Sequence, residues 1–313
     1  MMQTINLKGV LPATILPMTA DYEPDYDAFA RYLEWLISEN AVGLAINMDT
    51  GEGPQLNAAE RQRVAEIAVE VANKRCAVVA GVMGSTTRDA VAMAEMYQRV
   101  GVDGLVVFPN AAFRNFPLDP RIPYEYHKAV ADATGLPMIL FQLAPVFGGV
   151  NYTRETLLRL LDIPEVVGIK EASFDAQYFA YTKETLDQSG RQITLLTGND
   201  RFIVESAMMG AEGALLGFCA IGCAMVAELF QKLQQDRYAE AVDLRPRIQE
   251  FVEVIYGDPV LDYRARCKVA LAHIGVIDQS RTFVRPPMLQ ISAAEREVIA
   301  HALNRAGMLV TAR

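Results

Sequence analysis

A single lysine interrupts an otherwise apolar segment, Val166-Val-Gly-Ile-Lys-Glu-Ala-Ser173, whose β-branched composition is typical of a buried strand. Apolar surroundings take water away from the Lys170 ammonium group, which lowers its pKa and favours the neutral, nucleophilic amine. Such an amine attacks a substrate carbonyl and forms a Schiff base. The alternative is a lysine neutralised by a carboxylate such as Glu52 or Glu171, and the pattern alone favours neither interpretation.

Two further segments place polar residues directly after apolar runs. In Met48-Asp-Thr-Gly-Glu-Gly53 the glycines permit a tight turn, and Thr50 with the backbone amides could hold a substrate carboxylate. The segment Leu196-Thr-Gly-Asn-Asp200 is a second polar cluster, although Asn199 or Asp200 could equally cap a helix. Both segments suit a substrate site, and both are also common as ordinary loops.

Few other reactive groups are present in the sequence. The three histidines, His127, His273 and His301, fall within predicted helices, which disfavours a Ser-His-Asp arrangement or a histidine metal site. The four cysteines form neither a CxxC pair nor a Cys/His cluster, and we interpret them as reduced thiols. Cys219 and Cys223 lie one helical turn apart, but packing is the favoured interpretation because no histidine is nearby. We expect neither a metal nor a cofactor.

These residues belong to a repeated pattern of a short apolar run followed by an amphipathic helical segment, which is typical of parallel βαβ units. The eight runs are Val10–Leu16, Val42–Asn47, Ala77–Val82, Gly104–Phe108, Met138–Gln142, Val166–Lys170, Ile193–Thr197 and Ala214–Gly217. Eight alternations predict a (β/α)8 barrel, and the lack of a GxGxxG motif after the first run disfavours a dinucleotide-binding sheet. In such a barrel the active site lies at the carboxyl ends of the strands, where Lys170 and both polar loops fall.

The helices predicted between the runs lie at about 57–73, 86–101, 123–135, 153–161 and 175–190. After residue 227 the runs stop, and helical segments are predicted near 228–256, 262–275 and 292–308. The fold class is therefore α/β: a TIM barrel at 1–227 with a C-terminal helical extension at 228–313.

The amino-acid composition of the chain disfavours some classes of binding partner. The chain has 313 residues, 51% of them hydrophobic, and a net charge of −9 without visible clusters of Lys and Arg. This disfavours nucleic acid and anionic membranes as partners and favours a small-molecule substrate. The first residues lack the apolar core of a signal peptide, and no apolar run reaches about 18 residues. We therefore expect a cytoplasmic protein.

Together the motifs resemble those of the dihydrodipicolinate synthase and N-acetylneuraminate lyase family, over nearly the whole chain. The matching segments are Gly9–Pro17, Asp49–Glu52 against the family's GTTGE loop, Ala80–Val82, Gly168–Glu171, Gly198–Asp200 and Gly210–Gly213. The resemblance implies a barrel with three C-terminal helices, an imine between Lys170 and pyruvate or another 2-oxo acid, and a homo-oligomer, either a dimer or a tetramer. It also implies a substrate-binding set, which consists of Thr50, Gly51, Phe141, Gln142, Gly198 and Asn199.

The sequence departs from the family where a YNxP motif is usual. The tyrosine hydroxyl of that motif moves protons, but here the segment is Phe141-Gln-Leu-Ala-Pro145. Family members that bind aspartate semialdehyde have an arginine shortly afterwards, where this chain has Val146–Gly149. Because Phe141 cannot relay a proton, another group must transfer it. The best candidates are Asp49 and Glu52, and the others are Thr50, Gln142 or a water. A substitute charge could come from Arg114 or Arg121.

The functional prediction is a Schiff-base-forming lyase, either an aldolase or a dehydratase, for pyruvate, a 2-keto-3-deoxy sugar acid or a related 2-oxo acid. The segment Gln142–Pro145 is similar to one in some sugar-acid dehydratases of the family. The first alternative is 4-hydroxy-tetrahydrodipicolinate synthase, the enzyme of lysine biosynthesis. The second is a family member that binds ligands without catalysis, which would form no reducible imine.

Overall fold

The computed structural model describes residues 5–114 and 118–308. Its seven parallel strands form one sheet in chain order. They are β1 (Gly43–Ile46), β2 (Ala77–Val82), β3 (Gly104–Val107), β4 (Met138–Leu143), β5 (Val166–Ala172), β6 (Thr194–Thr197) and β7 (Gly213–Ala214). Almost every strand residue is buried, as expected for strands covered on one face by helices and packed inside a barrel on the other.

The first predicted strand, Val10–Leu16, completes the barrel as an extended segment rather than as a regular strand. It makes single parallel bridges to β7 and to β1. The amide of Leu11 donates to the carbonyl of Ala214 at 2.8 Å, and the amide of Ala45 donates to the carbonyl of Pro12 at 2.9 Å. Pro12 has no N–H to donate, which interrupts the ladder. The predicted TIM barrel is thus confirmed, with this segment in the eighth position.

Helices cover the outside of the barrel: α1 (Tyr26–Ser38), α2 (Ala58–Ala72), α3 (Thr87–Val100), α4 (Arg121–Thr134), α5 (Arg154–Leu161), α6 (Ala176–Gln188), α7 (Ile203–Met208) and α8 (Cys219–Gln234). Asn57 and Thr86 begin α2 and α3 with capping boxes, which satisfy backbone amides that have no partner within the helix. The sequence predicted both of these starts. Among the described residues, no helix has the length and apolarity needed to cross a bilayer.

The C-terminal helices are α9 (Tyr238–Asp243), α10 (Arg245–Ile255), α11 (Tyr263–His273) and α12 (Ala293–Arg305). The region predicted to be helical near 228–256 contains the end of α8, which begins earlier at Cys219, followed by α9 and α10; the chain turns between α8 and α9 at Asp236, which has a positive φ of 58°. Both α10 and α11 pack against α8. Since α8 runs across residue 227, the division of the chain there stays a prediction.

Candidate active site

Strand β5 carries Lys170 into the barrel interior, where the residue is only 9% exposed. In the sheet register Lys170 lies between Phe141 of β4 and Leu196 of β6. Its Nζ is 4.3 Å from the centroid of the Phe141 ring. Burial lowers the pKa of Lys170, while the nearby charges of Asp200 and Asp49 oppose this shift. Within the described residues, no ion pair includes Lys170, so nothing holds it in the charged form by direct contact.

The two carboxylates considered as partners of Lys170 are engaged elsewhere. Glu52 is buried in an ion pair with Lys268 of α11 and also accepts the amide N–H of Arg285 at 2.9 Å. Glu171 points to the opposite face of β5 and accepts the side-chain amide of Asn199 at 2.6 Å. Glu52 does not line the cavity above Lys170. Its predicted role as a proton relay is therefore corrected to a structural one, which ties the loop after β1 to the C-terminal helices.

A cavity of about 160 Å³ lies at the carboxyl ends of the strands, above Lys170. Five of the residues predicted to act in the site line it: Asp49, Thr50, Phe141, Lys170 and Gly198. The C-terminal helices and the turn between them contribute the remaining wall, which includes Tyr256, Val260, Leu261, Tyr263 and Arg264. The cavity is thus closed on one side by barrel strands and on the other by the extension.

Gln142 was predicted to bind substrate, but it lies outside the cavity. Successive side chains of a strand point to opposite faces, so Gln142 cannot share the barrel interior with Phe141. Its Nε2 donates to the hydroxyl of Thr182 on α6 at 2.7 Å, and its Oε1 accepts the amide N–H of Tyr152 at 3.3 Å. Gln142 therefore fastens a helix and a loop to the outside of β4.

Asn199 and Gly51 also lie outside the cavity. The Asn199 side chain bridges two loops, because it donates to Glu171 and accepts the amide N–H of Phe174 at 2.7 Å. At Gly51 a Cβ atom would lie 2.7 Å from the carbonyl oxygen of Thr14, so only glycine fits this close approach. Both residues shape the walls of the cavity without facing it.

Asp200 lines the cavity; the sequence had left open whether the polar cluster that contains it belongs to a substrate site or caps a helix. Its Oδ1 accepts the amide N–H of Phe218 at the start of α8, at 2.8 Å. Burial raises the pKa of Asp200 to about 6, and the Phe218 amide and the charge of Lys170 limit the rise. The signal that could have found it is position: Asp200 follows β6 at the same end of the barrel as Lys170.

The extension brings three polar side chains to the cavity. The rings of Tyr256 and Tyr263 stack with centroids 4.9 Å apart, and the Tyr263 hydroxyl lies 3.4 Å from the hydroxyl of Thr50. The Nε of Arg264 donates to the backbone carbonyl of Asp49 at 2.5 Å. No motif in the sequence indicated these residues, because Arg264 is 215 positions away from the loop that it contacts.

The chain matches the model of the dihydrodipicolinate synthetase family over residues 6–306. It belongs to that family. It is 29% identical to the 4-hydroxy-tetrahydrodipicolinate synthase of Gluconacetobacter diazotrophicus, with 98% of this chain and 100% of that protein aligned. It is 30% identical to the synthase of that name from Thermodesulfovibrio yellowstonii, with 96% and 99% aligned. A solved structure of dihydrodipicolinate synthase from Acinetobacter baumannii, complexed with pyruvate, superposes with a TM-score of 0.84 at 24% identity and covers 97% of this chain and 100% of that one.

Membership of the dihydrodipicolinate synthetase family confirms the predicted class: the chain is a Schiff-base-forming lyase with a small-molecule substrate. The side chain beside Lys170 on β4 is an aromatic ring without a hydroxyl. The proton-moving group of the family's YNxP motif is therefore missing from the wall that faces the lysine.

The two arginines considered as substitutes for the family's carboxylate-binding arginine do not line the cavity. Arg121 is exposed and paired with Asp119, whose pKa it lowers to about 2. The guanidinium group of Arg114 lies against Gly148, beside the loop that follows β4. Arg264 is instead the arginine that lines the cavity in the described part of the chain.

Proposed function

We propose that this family member acts as a dehydratase or aldolase on a 2-keto-3-deoxy sugar acid or a related 2-oxo acid, through an imine on Lys170. The observation that carries the proposal is the Lys170 amine, buried against the Phe141 ring and without an ion pair among the described residues. A neutral amine in an apolar setting is the nucleophile that this chemistry needs.

The residues around Lys170 can each be assigned a separate role in this reaction. The amine attacks C2 of the oxo acid, water leaves, and the resulting iminium draws electrons from C3. In a dehydratase a base then removes a C3 proton, and the C4 hydroxyl takes up a proton and leaves as water. In an aldolase the base instead removes the proton of the C4 hydroxyl, the C3–C4 bond breaks with its electron pair entering the enamine, and an aldehyde leaves. We assign the base to Asp49, which lines the cavity and is partly open to solvent. The Thr50 hydroxyl is assigned to hold the substrate carboxylate.

Arg264 is assigned to the far end of the substrate, because it is a cation in the cavity wall opposite the barrel. We predict that Arg264→Gln raises KM for oxo acids with a second charged or hydroxylated end by about 10-fold to 150-fold, the scale of one charge-assisted hydrogen bond. Trapping of pyruvate, which has no such end, should change little.

The matched control for this prediction is Arg114→Gln, since Arg114 lies outside the cavity wall. Steady-state kinetics on a panel of short and long oxo acids gives the KM values of both variants. Equal losses with pyruvate and with long substrates would show instead that Arg264 only supports the Asp49 loop.

The second candidate function is 4-hydroxy-tetrahydrodipicolinate synthase, which the names of the aligned relatives favour. We expect poor turnover of pyruvate with aspartate semialdehyde, because Phe141 supplies no hydroxyl and Val146–Gly149 supply no cation. One missing charge-assisted contact weakens binding by about 10-fold to 150-fold. The test is an assay of the purified protein, together with complementation of a strain that lacks the synthase. Growth without diaminopimelate would establish this second function.

The predictions of a homo-oligomer and of a cytoplasmic location form part of the proposal. The first was implied by the family resemblance. Light scattering after gel filtration measures the subunit number directly.

A further inference from the structure

Tyr256, at the end of α10, carries an unusual hydroxyl group. The side chain is buried and lines the cavity, and its hydroxyl interacts with the Asp200 carboxyl, although the contact lacks the geometry of an ordinary hydrogen bond. Burying a polar group whose hydrogen bond is poorly formed costs stability, so such groups call for an explanation. A group that hydrogen-bonds to the hydroxyl only when substrate is present would supply one.

The hydroxyl of Tyr256 packs closely against a glycine of the barrel. Gly217, just after β7, lies so close that a Cβ atom there would be 2.0 Å from the Tyr256 hydroxyl oxygen and 3.1 Å from that of Thr50. Any side chain at residue 217 would push both hydroxyls away. The hydroxyl of Tyr256 therefore occupies space in the same wall as Thr50, and the barrel and the extension fit together at this point.

The charged and titratable groups around Tyr256 come from five elements of the fold. They are Asp49 after β1, Lys170 on β5, Asp200 after β6, Cys219 on α8, and Tyr263, Arg264 and Cys267 on α11. Burial, followed by the charge of Asp200, raises the pKa of Tyr256 well above its ordinary value. The hydroxyl thus stays protonated at neutral pH, beside the Asp200 carboxyl, whose pKa burial raises to about 6.

We propose that Tyr256 is a catalytic residue, the proton donor to the substrate oxygen during imine formation, and that Asp200 returns the proton to it. The hydroxyl that β4 lacks at Phe141 is then supplied by the C-terminal extension. This inference rests on the proposed imine chemistry at Lys170.

The step balances as follows. The neutral Lys170 amine attacks C2, and a proton moves from nitrogen to the former carbonyl oxygen to give a carbinolamine. The C2–O bond then breaks with its electron pair on oxygen, Tyr256 gives its proton to that oxygen, and water leaves. The nitrogen lone pair forms the C=N bond. Tyr256 regains a proton from the protonated Asp200 carboxyl, which leaves a carboxylate near the iminium.

Tyr263 is the obvious competitor and also the matched control. Its ring stacks on that of Tyr256, but its hydroxyl already lies 3.4 Å from the hydroxyl of Thr50. Removing either hydroxyl changes one oxygen atom in the same aromatic pair. A difference between the two variants therefore reports the position of the hydroxyl rather than general packing.

The experiment compares wild type, Tyr256→Phe and Tyr263→Phe by rapid mixing with pyruvate, borohydride quenching at timed intervals and mass spectrometry of the Lys170 peptide. We expect Tyr256→Phe to slow labelling by about 10²-fold, the lower end for loss of an acid-base group, with an unchanged final labelled site and an unchanged Tm. Tyr263→Phe should slow labelling less than Tyr256→Phe does, because the Tyr263 hydroxyl contacts Thr50, which is assigned to the substrate carboxylate, rather than the reacting oxygen.

Wild-type labelling rates in Tyr256→Phe, or equal slowing in both variants, would overturn the role of Tyr256 while leaving the imine intact. A wild-type protein that carries no label on Lys170 would instead overturn the proposed function, and this inference with it. Analysis of the labelled site in all three proteins separates these results.

Discussion

Lys170→Arg and Lys170→Met will each abolish the borohydride-dependent addition of one substrate mass, and turnover will fall on the order of 10⁴-fold or more, as when a covalent nucleophile is removed. Arginine stays protonated and cannot form an imine. Methionine removes the nitrogen but keeps an unbranched apolar side chain against the Phe141 ring. The two variants therefore remove the chemistry in different ways.

The methionine variant protects this test against a trivial failure. An arginine in the barrel interior carries a permanent charge where burial disfavours one, and it could lower stability for that reason alone. The control is Lys128→Arg, a surface lysine paired with Asp132. Labelling of any other lysine in either Lys170 variant, at the wild-type extent, would refute the assignment.

Lys170 could be singled out from the sequence because its signal is local, although the choice between a nucleophile and a neutralised lysine came only from the family resemblance. A lysine within Val, Ile and Gly has few neighbours along the strand that could neutralise it, and strand position alone places it at the carboxyl end of the barrel. The barrel itself follows from the same kind of signal, a repeat of short apolar runs. Only the first run differs, since Pro12 prevents the regular ladder that its composition suggests.

The strand period would also have separated Phe141 from Gln142. Lys170 and Phe141 face each other in register inside the barrel, so the next residue on each strand, Glu171 and Gln142, must point outward. Glu171 was considered as a partner of Lys170 and Gln142 as a substrate-binding residue because both are polar, without regard to the face of the sheet to which each side chain points. A polar residue on a strand is therefore a candidate for the site only when its side chain also points into the barrel.

Tyr256, Tyr263 and Arg264 show what the sequence could not supply. Each reaches the cavity from the C-terminal helices, which have no strand-end position and no motif. The contacts of Tyr263 and Arg264 with the loop at 49–52 span more than 200 residues. Such contacts depend on how the extension docks on the barrel. The ion pair of Glu52 with Lys268 belongs to the same docking, which is why a loop glutamate became structural.

Asp49→Asn will lower turnover by about 10²-fold to 10⁴-fold while the imine on Lys170 still forms, because a general base acts after the imine. The Asp49 carboxylate lines the cavity, and its Oδ1 lies 4.0 Å from the Arg264 guanidinium group, at the outer limit of an ion pair. Asparagine keeps the shape of the side chain and removes only the basic oxygen. The backbone carbonyl that holds Arg264 is untouched.

Two measurements check this expectation on the same protein. Borohydride trapping should give the wild-type extent of labelling on Lys170, and exchange of the C3 protons of the bound oxo acid with deuterated water should slow in parallel with turnover. The comparison variant is Glu52→Gln, which breaks the buried pair with Lys268. Losing one partner of a buried pair costs about 3 to 5 kcal/mol, so Glu52→Gln should lower Tm, whereas Asp49→Asn should not. Normal proton exchange in Asp49→Asn would exclude Asp49 as the base and transfer that role to Asp200, the other carboxylate in the cavity wall.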